Sequence, residues 1–176
     1  MIESCVTLPN LASLPPRRVV NDSSIEMSSL PERVKDFPQF RYMGSKRKLL
    51  PWIHKILSGL DFDTVADPFV GSGCVAYMLK AMGKRVFASD FLNFSVTLAK
   101  ASIENSYCRL DQATVRKICR SSKKAPSFIE RTFSGVFYTK EDLRFLDQIC
   151  HNIGGLADPY QQALARAALI RSCLKK

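Results

Sequence analysis

Residues 64–90 constrain the fold more than any other stretch. They run Thr64-Val65-Ala66-Asp67, then Pro68-Phe69-Val70-Gly71-Ser72-Gly73, then an apolar segment as far as Gly83, then Arg85-Val86-Phe87-Ala88-Ser89-Asp90. Two short apolar runs, each closing on an aspartate, flank a glycine-bearing turn and a segment long enough for a helix. That order reads as strand, turn, helix (73–82), strand, with Gly83 as the helix stop. Strands joined through a crossover helix lie parallel, so the unit is β-α-β and the fold class is α/β. Gly71 and Gly73 lack the Cβ that would obstruct a tight turn or the close approach of another group.

The remaining segments are read from their caps and periodicities. Leu49, Leu50, Ile53, Ile56, Leu57 and Leu60 recur at helical spacing, with Ser45 as a candidate cap and Pro51 near the start. Leu92 to Asn105 is predicted as a helix with Leu98, Ser102 and Ile103 on one side. Residues 109–136 read as basic and irregular. Thr139-x-x-Asp142 predicts a capping box for a helix through Cys150 that Gly154-Gly155 closes, and Asp158-Pro159 predicts the start of a last helix. Residues 1–36, broken by Pro15-Pro16, Ser23-Ser24, Ser28-Ser29 and Pro31, are expected to form a flexible arm ahead of a domain spanning 37–176. Within that domain, about 109–176 would be a basic helical insertion.

A chain of 176 residues suffices for one domain with a core. No apolar run approaches the roughly 20 residues that span a bilayer, and the first 20 residues do not read as a signal peptide. The six cysteines show no C-x-x-C pair, which fits free thiols in a reducing cytoplasm better than disulfides or zinc. His54 and His151 have no metal-ligand or triad partner in sequence, so no metal site is expected. The net charge of +10 is concentrated. Residues 31–60 hold seven basic and two acidic side chains, residues 111–135 six and two, and residues 61–110 balance. Basic blocks around a neutral centre suit a polyanion such as DNA, although a solvated basic face explains the charge alone equally well.

In parallel α/β sheets ligands sit beyond the carboxyl ends of the strands, where Asp90 could accept hydrogen bonds from ribose hydroxyls. The third glycine of a dinucleotide fingerprint is missing, and so is the Gly-Lys-Ser/Thr of a phosphate loop. Dinucleotides and nucleoside triphosphates therefore rank below S-adenosylmethionine, which has a ribose and a sulfonium but no phosphate. Asp67 suits its charged methionine end. A purely structural turn and a nucleotide-dependent oxidoreductase stay as the lower-ranked readings.

Tyr42-Met43-Gly44-Ser45-Lys46-Arg47-Lys48-Leu49-Leu50-Pro51-Trp52-Ile53 resembles the opening motif of Dam-like adenine-specific DNA methyltransferases. Asp67-Pro68-Phe69-Val70-Gly71-Ser72-Gly73 and Ser89-Asp90-Phe91-Leu92-Asn93 resemble the two motifs that follow in that family, and the likeness extends over about Arg41 to Lys176. The resemblance implies a Rossmann-like methyltransferase fold, S-adenosylmethionine as cofactor, and double-stranded DNA as substrate, in a family that serves DNA methylation and restriction–modification. It implies cofactor contacts from Tyr42 and Lys46 with Gly44 and Ser45 forming the turn between them. Asp67, Phe69, Gly71 and Gly73 would form the main cofactor loop, Asp90 would bind the ribose, and Phe91 would pack near the adenine. Arg116, Lys117, Arg120, Lys123, Lys124 and Arg131 become candidates for DNA contact.

The same family places an Asp/Asn-Pro-Pro-Tyr/Phe motif after the cofactor segments, where it receives the flipped base. Asp158-Pro159-Tyr160 has one proline too few and fits a helix cap better. The expectation is therefore the cofactor-binding portion of such an enzyme, incomplete at its C-terminus, with no catalytic residue assigned. The alternative is a non-catalytic module that binds S-adenosylmethionine or DNA and needs a second chain to supply the missing motif.

Overall fold

A computed structural model describes residues 30–122 and 124–174. α1 (Leu50–Ser58) leads into β1 (Thr64–Asp67), α2 (Cys74–Ala81) crosses over, and β2 (Arg85–Ala88) returns parallel to β1 with Thr64 opposite Arg85 and Asp67 opposite Ala88. The ladder continues past the strands. Ser89 N–H donates to Asp67 O at 2.9 Å and Val70 N–H to Ser89 O at 3.0 Å, so the two strand-end loops are tied together. Gly83 has φ +80°, which makes it the left-handed residue that closes the crossover helix.

α2 forms the centre of the core. Cys74, Met78 and Leu79 pack with Leu50 on one side, and Ala76 packs with Val70, Ala99 and Ile103 on the other. Val34 and Phe37 complete the first cluster from a 3₁₀ turn over Glu32–Asp36. Val34 falls inside the stretch expected to be an arm yet is only 5 % exposed. Two apolar residues three apart share one side of a 3₁₀ turn, and here that side covers α2. The rest of the expected arm, residues 1–29, lies outside the described residues.

The helix expected from Leu92 is α3 (Asn93–Ala99), which passes into a π turn over Lys100–Glu104. Leu98 and Ile103 are buried as the spacing implied. The end of the π turn is capped from α2. Lys80 Nζ donates to the carbonyls of Ser102, Ile103 and Asn105 at 3.1, 2.7 and 2.6 Å, and burial, followed by the nearby Arg33, lowers its pKa.

Residues 109–136 are irregular only in part. They form α4 (Gln112–Ile118) and α5 (Phe128–Phe133), followed by α6 (Lys140–Gly154) and α7 (Pro159–Cys173). Asp111 caps α4 through Thr114 N–H at 2.6 Å. Asn152 of α6 holds the other end of α4, its amide donating to Ile118 O and Arg120 O at 2.8 Å each. The expected capping box of Thr139 and Asp142 is present, and Asp158 caps α7. α7 packs on α3, the π turn and α6, and Leu164, Ile170 and Leu174 are half-buried. No described helix is long and apolar enough to cross a membrane.

α5 has no cap of its own. Asp147, from the middle of α6 and 5 % exposed, accepts Ile129 N–H at 2.9 Å and Glu130 N–H at 3.0 Å. Asp147→Ala leaves two amides at a helix start without an acceptor and should cost about 2 kcal/mol of stability. Urea unfolding would show it as a lower midpoint at unchanged slope. A midpoint equal to that of the parent chain would mean that α5 is held by packing alone.

Candidate functional site

The carboxyl end of β1 faces a cavity of about 370 Å³, within the roughly 300–1,000 Å³ of small-molecule sites, and Asp90 and Phe91 lie outside its lining. Its wall combines the 42–46 turn with the loop after β1. Tyr42, Gly44, Ser45, Lys46, Asp67, Phe69 and Gly71 all line it, so residues about 25 apart in sequence meet at one place. A larger cavity of about 680 Å³ lies among Tyr77, Lys80, Arg109 and Arg171 but includes no residue of the strand-end loops. Position relative to the parallel strands favours the smaller one.

Each motif residue has a definite place. Ser45 does not cap the following helix. That segment starts as a 3₁₀ turn over Lys46–Leu49, and the Ser45 hydroxyl instead shares a hydrogen bond of 3.1 Å with the Ser72 hydroxyl. The two loops are thereby joined across 27 residues. Gly44, with φ +78°, makes the turn, and Lys46 Nζ folds back to donate to Gly44 O at 3.0 Å. The Tyr42 ring lies against Gly71, where a Cβ would come within 3.1 Å of Tyr42 Cε1. Gly71 also has φ +51°, so both conformation and contact require glycine there. Gly73 serves a different purpose. At φ +80° it caps α2, and it faces Phe37 rather than the cavity.

Two carboxylates organise the strand ends. Asp90 Oδ2 accepts Gly71 N–H at 2.8 Å and Oδ1 accepts Leu92 N–H at 2.9 Å. One side chain thus holds both loops, and each oxygen keeps a further lone pair. Asp67 Oδ1 accepts Phe69 N–H at 3.3 Å. Phe69 and Phe91 are 84 % and 97 % exposed, so neither packs against protein. Phe94, which no motif singled out, stacks on Tyr42; an aromatic residue four positions after the strand-end aspartate was the available signal.

The two aspartates titrate in opposite directions. Burial pushes Asp67 above the ordinary carboxylate value; the Phe69 N–H offsets this in part, and Asp90 nearby adds to it. The Leu92 and Gly71 N–H groups hold Asp90 below that value. On acidification Asp67 should take its proton first and Asp90 last, which carboxyl-carbon NMR resolves directly. The contribution of Asp90 to stability is lost as pH falls through its lowered pKa. That of Asp67, complete below the unfolded value, is lost as pH rises through its raised one. The reverse order of protonation would contradict the hydrogen-bond assignment.

The basic residues proposed for DNA lie elsewhere. Arg116, Lys117 and Arg120 are exposed on and just after α4, Lys124 is exposed in the loop that follows, and Arg131 is exposed on α5 with Nε donating to Ser127 O at 3.2 Å. Lys123 lies outside the described residues. Asp158 accepts Tyr160 N–H at 2.7 Å and Gln161 N–H at 3.3 Å, and the Tyr160 hydroxyl donates to Glu104 at 2.8 Å. The Asp158-Pro159-Tyr160 triplet is therefore committed to starting α7 and bracing it against the π turn.

Residues 42–164 match the family of D12 class N6 adenine-specific DNA methyltransferases. The chain is 36 % identical over 140 residues to the Type II methyltransferase M2.HphI of Haemophilus parahaemolyticus. That alignment takes in 80 % of this chain and 41 % of the relative, so the chain spans about two-fifths of its length. No solved structure gives a significant match.

Proposed function

Because the chain belongs to the D12 class N6 adenine-specific DNA methyltransferase family, we propose that its strand-end cavity holds S-adenosylmethionine and that it serves methylation of the 6-amino group of adenine in DNA. The observation that carries this is the meeting of three separate motif segments, 42–46, 67–73 and 90–92, at the carboxyl ends of two parallel strands. The residues fit the group. Asp90 retains acceptor capacity for ribose hydroxyls, Asp67 offers a carboxylate to the positively charged end, and Phe69 and Phe91 offer exposed aromatic faces toward a base. Gly44 and Ser45 shape the wall, Tyr42, Lys46 and Gly71 contribute their surface, and Gly73 serves the loop indirectly by starting α2. When bound, S-adenosylmethionine supplies a methyl group on a sulfonium.

On this reading β1-α2-β2 is part of a Rossmann-like sheet. The outer edges of both strands are unpaired among the described residues, which suits further strands. Residues from 37 onward form the cofactor-binding domain, and the helices of about 109–176 form an insertion whose basic residues Arg116, Lys117, Arg120, Lys123, Lys124 and Arg131 face double-stranded DNA. The binding-module alternative draws on one observation, the use of Asp158 as a helix cap. There, a second chain supplies the acceptor motif.

The cofactor class is tested by calorimetry with S-adenosylhomocysteine and with a dinucleotide. Binding of the first and not the second is the expected result, and the converse would favour an oxidoreductase. For DNA, log affinity should fall linearly with log salt concentration, and Arg116→Glu with Lys117→Glu should reduce the slope by about 2 because two phosphate contacts are lost. An unchanged slope would place those side chains off the DNA.

A further inference from the structure

The 42–46 turn is a weak support for a binding residue. It contains no strand and, before Lys46, no helix; Met43 is fully exposed, and Gly44 is a left-handed bend with open space around it. Its hydrogen bonds, Ser45 N–H to Tyr42 O at 3.2 Å and Ser45 Oγ to Ser72 Oγ at 3.1 Å, hold the backbone and the hydroxyl but do not set the orientation of the Tyr42 ring. Yet the Tyr42 ring lies in contact distance of Gly71, at the wall of the cavity.

The orientation comes from α3. Phe94, half-buried in its first turn, lies nearly parallel to Tyr42, with ring centroids 6.0 Å apart and planes 12° apart. Phe94 is in turn placed by Asp90, which accepts the N–H of Leu92, the N-cap residue of α3, while its other oxygen accepts Gly71 N–H. The contacts form a closed circuit. Asp90 fixes Gly71 and the start of α3, α3 carries Phe94, Phe94 stacks on Tyr42, and Tyr42 returns to Gly71.

We infer that Phe94 is a positioning residue of the cofactor site, holding the Tyr42 ring against Gly71 and so setting the wall between the two loops before any ligand arrives. The inference rests on reading the cavity as the S-adenosylmethionine site. Its physical basis is preorganisation. A ring already held does not have to be ordered by the ligand, and a stacked aromatic neighbour holds it better than an aliphatic one of similar bulk.

The test uses the full chain, S-adenosylhomocysteine as the titrant in calorimetry, and thermal unfolding of every variant. Phe94→Leu keeps an apolar side chain on α3 and removes the flat face. It should raise Kd by about ten-fold with little change in unfolding midpoint, and Phe94→Tyr should restore the parent affinity. The double variant Tyr42→Ala with Phe94→Leu should bind no worse than Tyr42→Ala alone, because Phe94 acts through that ring. A folded Phe94→Leu with parent affinity, or losses that add in the double variant, would overturn the inference and leave the cofactor reading standing. A folded parent chain that binds no S-adenosylhomocysteine would overturn both.

Discussion

Asp90→Ala is expected to weaken S-adenosylmethionine binding by roughly one to two orders of magnitude while the chain stays folded. The side chain has two duties in the proposed site. It would accept ribose hydroxyls, and it already holds Gly71 N–H and Leu92 N–H, one on each oxygen. Alanine removes the acceptor and releases both loops, so the loss should exceed that of an ordinary hydrogen bond to ligand. Asp90→Asn keeps one acceptor oxygen and should fall between the two. Calorimetry on the three proteins, with circular dichroism as a check of folding, measures the series. Equal affinities for all three would mean that neither the Asp90 carboxylate nor its hold on the two loops contributes to binding.

The largest expected effect concerns chemistry. Incubated with tritiated S-adenosylmethionine and adenine-containing DNA, the chain alone should transfer methyl groups many orders of magnitude more slowly than an adenine methyltransferase that carries the acceptor motif. Methyl transfer to the exocyclic amine needs acceptors for its hydrogens, a platform for the flipped base, and close alignment with the donor. Asp158-Pro159-Tyr160 provides none of these while Asp158 caps α7 and Tyr160 bonds to Glu104. Asp158→Ser is the informative control, because serine preserves the cap and lies outside the Asp/Asn of the acceptor motif. Robust transfer by the parent chain would refute this expectation, and its loss in Asp158→Ser would assign that residue a role in the reaction.

What could be read in advance followed from local chemistry. β1 ends on Asp67 and β2 two residues before Asp90, Gly83 closes the crossover helix, and Thr139-Asp142 and Asp158-Pro159 start the last two helices because their caps are built from neighbouring residues. The elements that escaped depend on distant partners. α5 is six residues long, and its start is capped by Asp147, 17 and 18 residues downstream of the amides it holds. α4 is seven residues long with a single buried position, Ile118, too little for a periodicity to register. The π turn ends on carbonyls satisfied by Lys80, more than 20 residues away.

The site divides in the same manner. Its motif residues were legible because glycines and acidic strand ends leave a local trace. Their mutual contacts were not. Ser45 reads as a helix cap by composition, yet its hydroxyl meets Ser72, and only the folded chain brings the two together. Gly73 reads as a ligand-facing glycine, yet its conformation serves α2 and its open side meets Phe37. Val34 and Phe37, set among prolines and charges, gave no periodic signal and are core residues because α2 presents a matching face.

The central claim is that the cavity between the 42–46 turn and the strand-end loops is where S-adenosylmethionine binds. Amide NMR of the full chain titrated with S-adenosylhomocysteine tests it most directly. The expected result is saturable shift changes concentrated at Gly44, Ser45, Phe69, Gly71, Ser72 and Leu92, with α4 and α5 unaffected. Saturable changes confined to the cavity lined by Lys80, Arg109 and Arg171, or no binding by the folded chain, would contradict it.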